Sequence, residues 1–452
     1  MAPINTSIQN TAPKLSVEYV LLSILTLDIR NPRKHPNRLI RQIAWSIKTF
    51  GFIVPVLIDR FNKVLAGHGR IQAAKLLALE EIPIIRIENL TEAQARAFAI
   101  ADNRLTENST WDDRLLGEIF VELAALELDF SLEVTGFSMG EIDLRIEGLS
   151  DSTQADIDAA DQLPDILDQP PVCARHDLWL LGSHRVLCDN ALEGYSYEAL
   201  MQGKLAEVVF TDAPYNVPIL GHASGNGRVR HREFVMASGE MTSGQFTHFL
   251  ATVMHLFVRN SADGSIHFHC MDWRHAFEIL TAGNQAYTQL KNICCWCKTN
   301  AGMGSFYRSQ HEFVFVFKNG TAPHRNNIQL GQHGRNRTNV WTYAGANSFG
   351  RQGEEGKLLE LHPTVKPVAL IADALMDVSA RGDIVLDSFL GSGSTLIAAE
   401  RTGRVCYGME LDPLYVDTTI RRWQRYTGES AVHVGSGEHF DERSARVGVH
   451  HE

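Results

Sequence analysis

The 452-residue chain has no uninterrupted apolar run of membrane-spanning length, which takes about 20 residues, so it is expected to be soluble with no membrane partner. It also lacks the basic-then-apolar opening of a secretory leader. Residues 1–16 are polar and expected to be loose, and the expected compartment is the cytoplasm. The cysteines number 7, odd and unevenly placed, which excludes a disulfide framework and fits a reducing compartment. Basic residues are also in short supply: 42 Lys and Arg stand against 53 Asp and Glu, for a net charge of −11. That deficit would argue against nucleic acid if it were evenly spread. However, residues 1–110 carry 14 basic against 9 acidic side chains, residues 111–171 carry 2 against 16, and residues 172–452 carry 26 against 28. The acidity sits in one middle segment, and a polyanion responds to the local field rather than the total.

What is present reads as an α/β protein with two domains. Residues 16–110 form a small α/β unit, with strands at 55–58 and 63–66 around a turn, a helix at 70–79, a strand at 82–87 and a Thr91-capped helix to 101. Residues 111–149 alternate acidic and apolar side chains at helical spacing, and 151–171, ending in Pro170-Pro171, has the composition of a linker. Residues 172–428 alternate apolar strands with helices, the pattern of a doubly wound sheet. The tail, 429–452, is expected to be loose.

Two strand ends carry chemistry. Asp383–Asp387 is a buried strand that runs into Ser388-Phe389-Leu390-Gly391-Ser392-Gly393, and a helix follows to Thr402. Glycines 391 and 393 allow a tight turn and a close backbone approach to a ligand. Seventeen residues after Gly393 a second strand ends in Glu410, where a carboxylate can accept from ribose hydroxyls. Leu396 stands where a dinucleotide fingerprint wants a third glycine, and no Lys-Ser or Lys-Thr follows, so this is not a P-loop. A short turn suits S-adenosylmethionine, which has no pyrophosphate. The other strand, Glu207–Thr211, delivers Asp212-Ala213-Pro214-Tyr215 at its carboxyl edge. An exocyclic amino nitrogen is a poor nucleophile because its lone pair is delocalised into the ring. Asp212 and the Ala213 carbonyl can accept its N–H bonds as it becomes tetrahedral, Pro214 stiffens the turn, and Tyr215 offers a face to an unstacked base.

In that order and spacing, residues 172–428 resemble amino-DNA methyltransferases of the class called β, whose catalytic motif precedes the glycine turn. His362-Pro-Thr364-Val-Lys366-Pro367 resembles the family's donor-site segment around its first helix, Gly408–Tyr415 its ribose-binding strand end, and His184–Asn190 the hairpin before the catalytic half. The resemblance implies a Rossmann-like sheet and a site-specific DNA methyltransferase that uses S-adenosyl-L-methionine on a flipped base of double-stranded DNA. It implies that Asp212, Ala213, Pro214 and Tyr215 act on the base. Asp387, Phe389, Gly391, Gly393, Ser394, Thr395, Glu410, Thr364 and Lys366 would hold the donor. Asp rather than Ser at 212 implies adenine N6 by analogy; cytosine N4, or a DNA-binding protein with a decayed methylase half, stay open as alternatives. Ala213 stands for the usual Pro, Ser388 for a common Pro, and Asp189-Asn190 for Gly-Asp. Since the carbonyl at 213 is backbone, activity is expected to be kept.

Two acid-free stretches are candidates for the DNA-facing surface. One holds Arg228, Arg230 and Arg232, and the other, 313–353, holds Arg325, Arg335 and Arg337 with Trp341 and Tyr343. Cys294-Cys295-x-Cys297 with His267 and His269 has poor spacing for zinc, since 295 and 297 share a strand face that 294 does not, and no metal is expected. In the N-terminal unit, Gly67-His68-Gly69-Arg70 can present N–H groups and a guanidinium to an anion. With Asn31-Pro-Arg33, Gly51–Pro55 and Asp102-Asn-Arg104 it resembles the ParB/sulfiredoxin-like N-terminal domain. Gly69 replaces the first arginine of that family's Gly-x-Arg-Arg box, so DNA contact or a scaffold role is expected over nucleotide hydrolysis. The fusion implies a bacterial or phage setting, and a homodimer is left open.

Overall fold

The computed structural model describes residues 15–126, 128–149, 160, 170–216, 239–298, 307–328, 337–343 and 365–449. The chain divides into two compact units, Met1–Ser150 and Asp151–Glu452. In the first, β1 (Val17–Leu21), β2 (Val56–Asp59), β3 (Val64–Ala66) and β4 (Glu81–Ile87) form a sheet in the order β1-β4-β2-β3. Val56 and Ile58, two apart on β2, share one face and pack with Ile71, Ala74, Ile82 and Ile84. Around them lie α1 (Asn37–Phe50), α2 (His68–Leu76) and α3 (Glu92–Glu107). Thr91 starts α3 through a capping box with Gln94, and the helix runs beyond 101 to Glu107. The acidic stretch supplies α4 (Asp113–Ala124), capped by Asp112, and α5 (Met139–Glu147). Among the described residues no helix is long and apolar enough to cross a membrane.

Among its described residues the second unit has a sheet of ten strands. These are β5 (Leu178–Leu181), β6 (His184–Cys188), β7 (Ala206–Thr211), β8 (Ser261–Met271), β9 (Gln289–Cys297), β10 (His311–Lys318), β11 (Val340–Thr342), β12 (Ile384–Asp387), β13 (Val405–Glu410) and β14 (Val432–His433). Their order is β11-β9-β10-β8-β7-β12-β13-β6-β5-β14. The helices of this unit are α6 (Gly194–Met201), α7 (Ser243–Arg259), α8 (Ala276–Ala286), α9 (Val368–Val378), α10 (Ser394–Thr402), α11 (Pro413–Thr427) and α12 (Phe440–Val449). Successive residues of β7 face opposite layers: Val208 and Phe210 join one apolar core, and Val209 joins the other. Strand β7 is parallel to both β8 and β12, and β12 is parallel to β13. The chain leaves β7 through α7 for β8 on one side and leaves β12 through α10 for β13 on the other. The crossovers diverge, so a crevice opens between the carboxyl ends of β7 and β12, where open α/β sheets bind ligands.

Two expectations need correction. The tail from 429 is not loose: β14 pairs with β5, and Phe440 of α12 is fully buried against Trp179, ring centroids 5.4 Å apart. Arg443 pairs with Asp177 at 2.9 Å. The linker also has something to bury. Ala160 lies in the larger core, its carbonyl accepts from Arg422 at 2.7 Å, and the Val172 and Cys173 N–H groups donate to Asp417. Its remaining residues 151–159 and 161–169 lie outside the described set. Because a buried aromatic leaves a cavity when truncated, Phe440→Ala is expected to cost about 3–5 kcal/mol in urea unfolding of the full chain. A cost near zero would return the tail to a loose appendage.

Candidate active site

The carboxyl ends of β7 and β12 meet directly. Thr211 Oγ1 donates to Asp387 Oδ1 across 3.1 Å, and the same carboxylate oxygen accepts the Phe389 N–H at 3.0 Å. Thus Thr211 and Asp387, 176 residues apart in sequence, bring the Asp212 turn and the glycine turn side by side at the switch point.

Asp212 lies in a buried charge cluster. Lys366 Nζ donates to Asp212 Oδ2 at 2.6 Å and to the Tyr215 hydroxyl at 3.0 Å, and it lies 3.0 Å from Glu312 Oε2. Tyr215 Oη donates to Asp212 Oδ1 at 2.5 Å, and Lys298 donates to Glu312 Oε1. Two ammonium groups and two carboxylates thus compensate one another. Burial by itself would strip the proton from Lys366, but the Asp212 and Glu312 carboxylates hold the ammonium above its ordinary range. Burial opposes the charge on Glu312 as well, yet Lys366 and Lys298 hold its carboxyl down to about 2. For Asp212, burial pushes the carboxyl up, and the Glu312 charge adds to this against the pull of Lys366. The Asp212 side chain still keeps 24% of its surface open, against 4% for Lys366, so the cluster is reached from Asp212. Ala213 is buried, and Asn216, at φ 54°, clamps the returning chain: its Oδ1 accepts from the Gly239 and Met241 N–H groups, and its amide donates to the Met241 carbonyl at 2.8 Å.

On the donor side, Gly391 N–H donates to Glu410 Oε2 and Asp412 N–H to Glu410 Oε1, both at 2.9 Å, which fixes the carboxylate beside the glycine turn. Gly393 caps α10 at φ +84°, and a Cβ there would lie 2.9 Å from Thr419. No other residue fits both the torsion and the space. Ser394 and Thr395 open α10, whose first N–H groups favour an anion. Asp189 follows β6 and donates its N–H to the Glu410 carbonyl at 3.0 Å, while its carboxylate holds Arg175 and His176.

Other sequence-predicted residues sit elsewhere. Lys366, expected at the donor, pairs with the Asp212 carboxylate and with Glu312, which the sequence did not single out; both follow from side-chain pairs 154 and 54 residues apart, which no local pattern shows. Arg337, expected on DNA, is spent on Asp373 and Asp377, each at 2.7 Å, with its guanidinium over Trp341. Arg325 is exposed but lies near Glu207, which receives the Ile384 N–H at the amino edge of β7 and β12, away from the crevice. Arg228, Arg230, Arg232, Arg335 and Thr364 lie outside the described residues. In the first unit Gly67 caps α2, and Arg70 turns back to the Val54 carbonyl at 3.3 Å. A Cβ on Gly69 would sit 2.9 Å from His35, so the ring fills the space an arginine would need. The Cys295 and Cys297 sulfurs are 3.9 Å apart on one strand face, and no group among the described residues is arranged to hold a metal.

Asp387 carries a measurable consequence. Burial raises its carboxyl to about 7, against hydrogen bonds from Thr395, Phe389 and Thr211 that lower it. A folded-state value above the unfolded one contributes stability below the unfolded value and loses it as pH rises through about 7. Asn at this position keeps the acceptor oxygen and cannot ionise. Asp387→Asn is therefore expected to gain stability relative to the parent as pH rises from 5 to 8, by at most ~1.4 kcal/mol per pH unit. Parallel melting curves for the two chains across that range would refute the assignment.

Three family models match. Residues 206–421 match a DNA methylase model, residues 115–175 a ParB-methyltransferase HTH domain, and residues 7–104 a ParB N-terminal domain. The ParB-like nuclease domain-containing protein YnaK of Escherichia coli K12 is 40% identical over 81 residues, 18% of this chain and 93% of that protein. The type II methyltransferase M.ScaI of Streptomyces caespitosus is 32% identical over 89 residues, 20% of this chain and 29% of its own length. The type II methyltransferase M2.MboI of Moraxella bovis is 26% identical over 146 residues, 31% of this chain and 51% of its own. DNA methylases draw their methyl from S-adenosyl-L-methionine, and the donor set suits it: a carboxylate for the ribose, a glycine turn, and helix N–H groups for the amino-acid carboxylate. The helix-turn-helix match covers the acidic segment, read from the sequence only as helical. The chain is thus a fusion: an N6/N4 DNA methylase domain over residues 206–421 stands behind a ParB-like N-terminal domain and a ParB-methyltransferase helix-turn-helix domain.

Proposed function

We propose that this DNA methylase is a site-specific adenine-N6 methyltransferase acting on a base flipped out of double-stranded DNA. The observation that carries it is the Thr211–Asp387 contact, which sets Asp212 beside the turn expected to hold the donor. Bound S-adenosylmethionine supplies an electrophilic methyl on a sulfonium. The protein's own part is to make the amino nitrogen nucleophilic. A carboxylate has about four lone-pair sites, so Asp212 can serve Lys366 and Tyr215 and still accept an amino N–H. The Ala213 carbonyl takes the second N–H, and the Tyr215 ring stacks on the base. Lys366 and Lys298 balance the carboxylates of the cluster, and the raised proton affinity of the partly buried Asp212 suits it to take the proton the methylated nitrogen sheds. Adenine is preferred because Asp rather than Ser stands at 212, by family analogy. Cytosine N4 is the second reading.

The purified chain is expected to transfer labelled methyl from S-adenosylmethionine to duplex DNA and to yield N6-methyladenine on nucleoside analysis; N4-methylcytosine would select the second reading. Asp212→Ala should lower the rate by ~10²-fold or more. Lys366→Gln removes the main counter-charge from Asp212, so the acid limb of its pH–rate profile should move to higher pH. An unmoved limb would remove Lys366 from that role.

A further inference from the structure

The surface beside the cleft has an exposed aromatic corner for which the chemistry of the site gives no use. Thr211 of β7 pairs with His269 of β8, and Phe313 of β10 pairs with Met271. Asp212 and Glu312 therefore flank the end of β8, and the chain turns outward one residue later. Asp272 caps a 3-10 turn, Trp273–His275, by accepting the Arg274 N–H at 2.9 Å; that turn presents Trp273, 49% exposed, and the start of α8 presents Phe277, 74% exposed, four positions on. The Arg274 guanidinium lies 5.8 Å from the Trp273 ring centroid. Trp273 Nε1 donates to Ser309 Oγ at 3.1 Å, which brings the exposed Arg308 to the same corner. The corner is also held from beneath: His275 packs edge-on against Phe246 at 4.9 Å, and buried Glu278 accepts from Ser243 of α7 at 2.9 Å.

Single exposed apolar residues are common on protein surfaces, but large apolar side chains exposed together and flanked by polar groups mark a contact surface. Here two rings project from a braced turn with cations beside them, at the edge of a cleft whose substrate class is DNA. Proteins that distort a duplex insert apolar side chains at a base step while cations hold the phosphates, and a base taken out of the stack leaves a gap that a flat ring can fill. We propose that the Trp273–Phe277 corner is the duplex-contacting wedge of this enzyme, with the two rings pressing into the stack next to the extruded base and Arg274 and Arg308 on the flanking phosphates. The proposal rests on the DNA-methylation reading above.

The test compares the full-length parent, Trp273→Ala/Phe277→Ala and Trp273→Phe on plasmid duplex from a host lacking DNA methylases. The double variant is expected to lose at least tenfold in kcat/KM for duplex DNA while its melting temperature and its stabilisation by S-adenosylmethionine stay those of the parent. Trp273→Phe, which keeps a ring, should stay within threefold of the parent. A double variant within threefold of an active parent overturns the wedge and leaves the methylase reading intact. A drop accompanied by a lowered melting temperature or a lost donor response also overturns it, because the corner would then be structural. A parent that transfers no methyl to DNA overturns the reading and the wedge together.

Discussion

The Lys366 ammonium is the hub of the candidate active site, with Lys298 as the second cation of its charge cluster. Asp212 and Glu312 both face Lys366 Nζ, at 2.6 and 3.0 Å, in a place where burial opposes the charge of each carboxylate. Taking one ion from such a group leaves its partner uncompensated, which typically costs 3–5 kcal/mol. The sheet is arranged so that three separate segments must meet for this balance to hold: the end of β7, the start of β10, and the residues leading into α9. A different strand order would separate these charges as well as unpack the core.

Much of this was legible in the amino-acid order because it is local. The apolar runs 207–211 and 383–387 read as buried strands, and the glycines at 391 and 393 announced a turn whose torsions the structure shows at φ 53° and 84°. Glu410 at the end of the next strand followed from the same βαβ logic. Asp212-Ala-Pro-Tyr215 could be placed at a carboxyl edge for the same reason. That these edges face one crevice required the strand order, which periodicity does not contain.

What could not be read depends on partners far along the chain. Arg337 sits in a stretch with no acid of its own and so resembled a DNA contact, yet its counter-ions come from Asp373 and Asp377 on α9. Lys366 looked like part of a donor segment because its neighbours do. Phe440 lies in a polar tail, and its burial comes from distant partners, among them the Trp179 indole and the Arg421 guanidinium. The acidic segment matches a helix-turn-helix model although residues 111–171 carry 16 acidic against 2 basic side chains, a balance poorly suited to gripping phosphates.

Asn216 offers a last point. By holding Gly239 and Met241 with one amide, it fixes the departure and return of the chain at the rim of the cleft to nearly the same spot. The intervening sequence can then vary in length at little thermodynamic cost, since doubling a closed loop adds only about 0.6 kcal/mol of closure entropy. Such a staple separates two evolutionary problems. The groups that do chemistry can stay constant while the insert beside them is exchanged, as a tool handle accepts different heads.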